Sequence, residues 1–323
     1  MTTPTILVIT NREDSTADRV VHELNERGTP VMRFDAADFP QRLALSGECG
    51  PGTWSGSLVG DHRSVRLDSV AGAYYRRPGQ FELPDGMTQP EQLWSYGEAR
   101  IGFGGVLQAL DCAWVNHPQH AAAAEYKPVQ LSAAVAAGLR IPRTFVGNSP
   151  EHALAWAKEV GAPIVYKPLA GSVHIEARTT KILYATSIDD LSMLDDPAVR
   201  MTAHCFQEWV PKRAEARVTV VGDDMFAVVI HADSPEGRID WRADYAAHQY
   251  EVAPVPGGVR AGLRSCLDRL GLVYCAADFA INPRGEWVFL GDINPNGEWG
   301  WLAHHCELPI AASIADALER GMR

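Results

Sequence analysis

Phe289-Leu290-Gly291-Asp292-Ile293-Asn294-Pro295-Asn296 closes the second of two apolar runs near the end of the chain, and the first is Tyr274–Ile281, with Asp278 at its middle. Pro283-Arg284-Gly285 between them is turn chemistry, so the pair reads as a β-hairpin. Asp292 and Asn294 are two residues apart and therefore share one face of a strand. Asp278 on the neighbouring strand can join them across the ladder. Two carboxylates and one amide oxygen are hard donors of the kind Mg²⁺ takes, with other positions left to water and phosphate. The plainer reading makes Asp292 and Asn294 turn formers at a strand end.

Working outward, Gln207-Glu208-Trp209-Val210-Pro211 ends a strand and would lead from one lobe into another. A connector of this sort offers backbone N–H and C=O groups to the edge of an adenine. Glu215 is an acid suited to ribose hydroxyls. Arg217 shares its strand face and can reach a phosphate or a developing acyl phosphate. As a bland alternative, Glu215 and Arg217 form a cross-face ion pair worth under about 1 kcal/mol. Lys167 ends the apolar strand Ile164–Lys167, just before Pro168 and the turn Ala170-Gly171-Ser172. Backbone N–H groups of Gly171 and Ser172 could cradle a phosphate held by that lysine. Lys127 lies on a helix. By spacing alone, each lysine reads equally as a surface charge.

The remainder is mixed α/β. Thr5–Thr10 is a buried strand, and Asp14 or Ser15 caps a helix that Gly28 ends. Val31–Phe34 follows as a strand, and this opening resembles an open α/β sheet. Short strands broken by Gly and Pro fill residues 43–77. Glu91–Leu110 reads as one long amphipathic helix with Leu93, Ile101, Val106 and Leu110 on its apolar side. Asn116-His117-Pro118 marks a boundary. Pro128 kinks the helical Ala121–Gly138 or starts a new helix. Ile141–Val146 is a strand, and Ser149-Pro150-Glu151 opens a helix stopped by Gly161. The second half is mostly antiparallel strands. Three units follow: residues 1–118, 119–205 and 206–323.

Several classes are excluded. No G-x-x-x-x-G-K-[ST] occurs, so the chain is not a P-loop NTPase. Gly102-Phe103-Gly104 lies inside a helix and has Leu107 where the last glycine of a dinucleotide loop belongs, so close helix packing is expected there instead. A net charge of −11 disfavours nucleic acid, which needs a basic face. No apolar run reaches membrane-helix length, and the N-terminus lacks the basic segment of a signal peptide, which makes the cytoplasm the expected location. The six cysteines have no C-x-x-C spacing. His304-His305-Cys306 are adjacent and point apart, which disfavours a metal site.

In order, Lys127, Lys167, the Gln207–Val210 connector, Glu215, Arg217, Asp278 and the Asp292/Asn294 pair resemble the ATP-grasp superfamily. Further segments are similar to the ATP-grasp maturases of ribosomal peptides, the graspetide and microviridin type. They are Tyr75-Arg76-Arg77-Pro78, Trp114-Val115-Asn116-His117-Pro118, Val210-Pro211-Lys212-Arg213-Ala214-Glu215, Asp240-Trp241-Arg242 and the Asp292–Trp299 run. One departure is Asp292, where the superfamily usually has Glu.

The resemblance implies an α/β fold with an N-terminal pre-ATP-grasp domain and ATP held between a central and a C-terminal lobe. It implies ATP and Mg²⁺ as cofactors, with Asp278, Asp292 and Asn294 on the metal. Lys127, Lys167, Gly171, Ser172, Gln207, Glu208, Trp209, Val210, Glu215 and Arg217 would hold the nucleotide, with Lys167 and Arg217 acting in catalysis. The implied activity phosphorylates Asp or Glu side chains of a precursor peptide and closes side-chain esters or amides. Arg76, Arg77, Lys212, Arg213 and Arg242 would receive the acidic core peptide. A homodimer is implied as well, without nucleic acid or membrane. Two alternatives use the same ATP site: a ligase of free carboxylates and amines, and a nucleotide-binding partner protein without ligase activity.

Overall fold

The computed structural model describes residues 3–50, 53–170, 173–176, 179–232, 234–243 and 248–322. Strand β1 (Thr5–Thr10) is a continuous apolar run, as befits a strand covered on both faces. Asp14 caps helix α1 (Ser15–Glu26), accepting from the N–H groups of Thr16 and Ala17. After β2 (Val31–Phe34) come a meander of β3 (Leu43–Cys49), β4 (Trp54–Gly60) and β5 (Ser64–Arg66), then β6 (Val70–Arg76). Helices α2 (Gln89–Glu98) and α3 (Gly104–Gln108) lead to β7 (Ala113–Val115). The parallel sheet runs β2-β1-β6-β7. The meander covers one face, where Leu43, Leu58 and Leu67 meet Leu7, Ile9 and Phe34.

Two expectations for residues 91–110 need correction. A π-helical turn at Ala99–Phe103 interrupts the helix. Val106 and Leu110 join the core beside Leu7 and Ile9, but Leu93 and Ile101 are 70% and 65% exposed, so only part of the apolar stripe faces a core. Nor are the glycines close packing contacts: a Cβ on Gly102 would meet nothing within 4 Å, and one on Gly104 only Gln108 Nε2 at 3.8 Å.

The middle of the chain holds α4 (Pro118–Ala124) and α5 (Lys127–Ala136), with Pro128 starting the second helix. Strand β8 (Thr144–Gly147) begins three residues later than the sequence suggests; helix α6 (Pro150–Val160) and β9 (Ile164–Lys167) follow. A hairpin of β10 (Val173–Glu176) and β11 (Thr179–Ile182) precedes β12 (Thr186–Ile188) and β13 (His204–Glu208). This sheet runs β12-β9-β13-β8 and packs on α6 through Ala153, Ala157, Ile164 and Phe206.

The last sheet, β16-β15-β14-β17-β18, is antiparallel. Its strands are β14 (Ala214–Val221), β15 (Asp224–Ala232), β16 (His248–Ala253), β17 (Tyr274–Ile281) and β18 (Trp287–Asn294). The short helix α7 (Pro235–Ile239) joins β15 to β16, and α8 (Gly257–Leu270) follows β16. One face of this sheet buries α5 and α8 around Leu263, Leu267, Phe279 and Phe289. Helix α9 (Gly300–His305) is followed by α10 (Ile310–Glu319), which returns to the first sheet and packs beside α1 through Ile314 and Leu318. Arg27 ties the two helices through Asp316 and Glu319 at 2.6 and 2.9 Å. The end of the chain thus completes a layer begun at its start.

Candidate functional site

Between the middle sheet and the last sheet lies a cavity lined by residues of both. Its wall is built by β9, the end of β13, β14, the segment after α7, and the facing strands β17 and β18. Nearly every residue expected at a nucleotide site and described in the structure is on or beside it.

Asp278 and Asp292 meet there by a local irregularity. Ala277 pairs with Ile293 and Phe279 with Phe289, so Asp278 stands opposite the three residues Leu290, Gly291 and Asp292. Such a bulge re-aims side chains next to it. Gly291 carries it at φ +80°, a left-handed conformation that a side chain would strain. Lys167 Nζ donates to the bulge carbonyl of Leu290 at 2.7 Å and to Asp292 Oδ2 at 2.8 Å. Lys127, the first residue of α5, donates to Asp292 Oδ1 from the opposite side. Burial pushes the Asp292 carboxyl up, but Lys167 and Lys127 outweigh it and hold the group well below the usual carboxylate range.

Asp278 pairs with Arg217, directly across the β14–β17 ladder, at 3.1 Å. Burial and then the neighbouring Asp292 raise its pKa, while Arg217 opposes them. The Arg217 guanidinium lies over the Trp241 ring at 5.4 Å, and the residue is 6% exposed. Glu215 is also buried; burial raises its pKa, and Lys212 Nζ at 2.8 Å offsets part of that. Gln207, Glu208, Trp209 and Val210 line the cavity where β13 leaves its sheet for the next. Gly171 and Ser172 lie outside the described residues.

The donor set suits Mg²⁺: two carboxylates line one cavity, and the buried Asp278 favours an added positive charge. Asn294 is different. It is exposed at the end of β18, and its Oδ1 accepts from the Asn296 N–H at 3.0 Å.

The five basic residues expected to meet a peptide separate into two groups. Lys212 and Arg242 line the cavity, the latter paired with Asp240 at 2.6 Å, and Arg213 is exposed beside them. Arg77 is exposed near Glu298 at 3.3 Å. Arg76 corrects the expectation: it is 1% exposed, with its guanidinium committed to Asp14, Glu298 and the carbonyls of Asn296 and Gly297. A side chain so enclosed presents nothing to a peptide.

Sequence reasoning gave no role to Asp240 or Trp241. Asp240 is 5% exposed and accepts from the Ala185 N–H at 3.1 Å, linking the segment after α7 to the middle sheet across the cavity. An acid two residues before an arginine, in Asp240-Trp241-Arg242, was the available signal.

Residues 5–122 match the MvdD pre-ATP grasp domain. Over 98% of this chain and 96% of the other, the structure resembles a Chryseobacterium gregarium RiPP-associated ATP-grasp ligase in complex with ADP and a leader and core peptide (27% identity, TM-score 0.88). It also resembles macrocyclase MdnC bound with precursor peptide MdnA from Microcystis aeruginosa MRC (27% identity, 98% and 99% covered, TM-score 0.84). Macrocyclase MdnB of the same organism matches at 27% identity, 98% and 99% coverage and a TM-score of 0.80. No curated protein matches the chain. Residues 5–122 therefore match a pre-ATP-grasp domain, and along its whole length the chain shares its fold with RiPP-associated ATP-grasp ligases.

Proposed function

We propose that this ATP-grasp ligase activates Asp or Glu side chains of a ribosomally made precursor peptide and closes them onto hydroxyl or amine side chains of the same peptide. The observation that carries the reading is one cavity lined by Asp292 and Asp278, the first paired with Lys127 and Lys167 and the second with Arg217. Full-length similarity to two peptide-bound ligases supports the choice of a peptide.

In this reading Gln207–Val210 hold the adenine and Glu215 the ribose, while Lys127 and Lys167 turn from Asp292 to the phosphates. Asp278 and Asp292 would hold Mg²⁺, with Asn294 reaching it by rotation, and the ion would supply positive charge to the phosphates. A peptide carboxylate oxygen attacks the γ-phosphorus, the bond to ADP breaks, and an acyl phosphate forms. Arg217 lies against its charge. A hydroxyl or amine then adds to the acyl carbon, loses its proton, and inorganic phosphate leaves. Asp240 and Trp241, on the segment that roofs the cavity, keep water from the acyl phosphate. Arg77, Arg213, Lys212 and Arg242 receive the acidic core.

The units 1–118, 119–205 and 206–323 belong to this proposal, as does a homodimer in the cytoplasm, where ATP is supplied. No helix among the described residues is long and apolar enough to cross a membrane. Intact mass after co-expression with a neighbouring small peptide gene tests the reading. Loss of one water per ring, abolished by Asp292→Ala, supports it. An unchanged peptide, with free amino acids driving ADP release, moves the activity to small carboxylates.

A further inference from the structure

Arg76 is the largest buried polar side chain of the first domain, and its hydrogen bonds leave that domain. It closes β6, yet Nη1 donates to two successive carbonyls more than 200 residues away, Asn296 O and Gly297 O, both at 3.0 Å. Nη2 binds the Glu298 carboxylate. Nε faces Asp14 Oδ2 at 3.0 Å, and Asp14 is itself fixed by Thr10 Oγ1 at 2.7 Å and by the N–H groups that it caps. Two other buried donors grip the same loop: Asn116 Nδ2 reaches Pro295 O at 2.9 Å, and the Tyr274 hydroxyl reaches Gly297 O at 2.7 Å. Three consecutive carbonyls are therefore held from below.

The other side of that loop faces the site. A Cβ placed on Gly297 would stand 3.2 Å from Arg217 Nη2 and 2.4 Å from the Ala276 Cβ. Gly297 is thus the floor under the Arg217 guanidinium. The other walls are Asp278 at 3.1 Å and the Trp241 ring. Arg217 Nε is buried with no hydrogen-bond partner, so packing against this floor contributes to its aim.

We infer that Arg76 is a positioning residue: from the pre-ATP-grasp domain it fixes the Pro295–Gly297 floor and so directs Arg217 at the phosphates. The inference rests on the phosphate-binding role proposed above for Arg217. Only a guanidinium suits the task, since a lysine cannot serve two carbonyls and two carboxylates at fixed angles.

The test is a double-mutant cycle on Mg-AMPPNP affinity, measured by calorimetry for the wild type, Arg76→Lys, Arg217→Lys and the double variant. Arg76→Lys should weaken binding by about tenfold in the wild type, the scale of one charged hydrogen bond. It should add nothing once Arg217 is replaced, because coupled residues are non-additive. A residue that merely stabilises the fold would show no such coupling. Gly297→Ala disturbs the floor while leaving Arg76 and its ion pairs in place; it decides the matter if Arg76→Lys fails to fold, and the same non-additivity is expected. Unchanged affinity in the single variants, or additive losses, would overturn the inference alone. A folded wild type that binds no Mg-AMPPNP would overturn the proposed function and this inference with it.

Discussion

Asp292 is the residue on which the site balances. Its carboxyl is held below the ordinary value of 3.8 by two lysines. The sign follows from proton linkage: the stabilisation is complete above the unfolded value, and it is lost as pH falls through that value towards the lower folded one. Asp292→Asn should therefore flatten the fall of melting temperature between about pH 5 and pH 3. In the proposed reaction Arg217 acts on the chemistry rather than on the fold. Arg217→Gln should lower kcat by about 10²–10³-fold, the scale of removing one donor from a developing anion, as measured by ADP release with peptide present. Both positions were legible from sequence order. The ion pairs that hold them were not, because Lys127 and Asp292 are 165 residues apart.

At the scale of elements, the bulge in β18 and the Asn294–Glu298 loop position the chemistry. Gly297→Ala places a methyl 2.4 Å from the Ala276 Cβ, which the packed β17 cannot easily yield. The expected cost is about 1–3 kcal/mol by urea denaturation, typical of overpacking. Helix α2 behaves in the opposite way. Leu93 is 70% exposed, so Leu93→Lys should change stability by less than about 0.5 kcal/mol, whereas a core leucine would cost several. Sequence periodicity misjudged this helix because apolar spacing records which residues share a face, not what that face meets. The hairpin turns, the Asp14 and Ser149 caps and the helix start at Pro128 were legible because their causes lie within a few residues.

At the scale of the whole molecule, Asn116 joins the first domain to the last sheet. Its side chain accepts from the Val273 and Tyr274 N–H groups at 2.8 Å and donates to Tyr274 O and Pro295 O at 2.8 and 2.9 Å. Asn116→Ala leaves these buried groups short of partners, so a loss of at least about 1–3 kcal/mol is expected by urea denaturation. Because Asn116 holds the same loop as Arg76, nucleotide affinity should weaken too. The first domain is thereby mechanically continuous with the cavity, although it lines none of it.

The order of the elements, the ATP-grasp resemblance and many residues on or beside the cavity were legible in the sequence: Lys127, Lys167, the Gln207–Val210 connector, Glu215, Arg217, Asp278 and Asp292. Those follow from local chemistry: alternation, turn residues, and a carboxylate or lysine at a strand end. What distant segments settled is that Arg76 is buried, that Asn294 is exposed with its Oδ1 on the Asn296 N–H, that Asp240 bridges the cavity, and that Leu93 on α2 lies open. Each of these depends on what a distant segment brings to the same place. Burial and pairing are properties of that meeting, and one strand's spacing does not encode them.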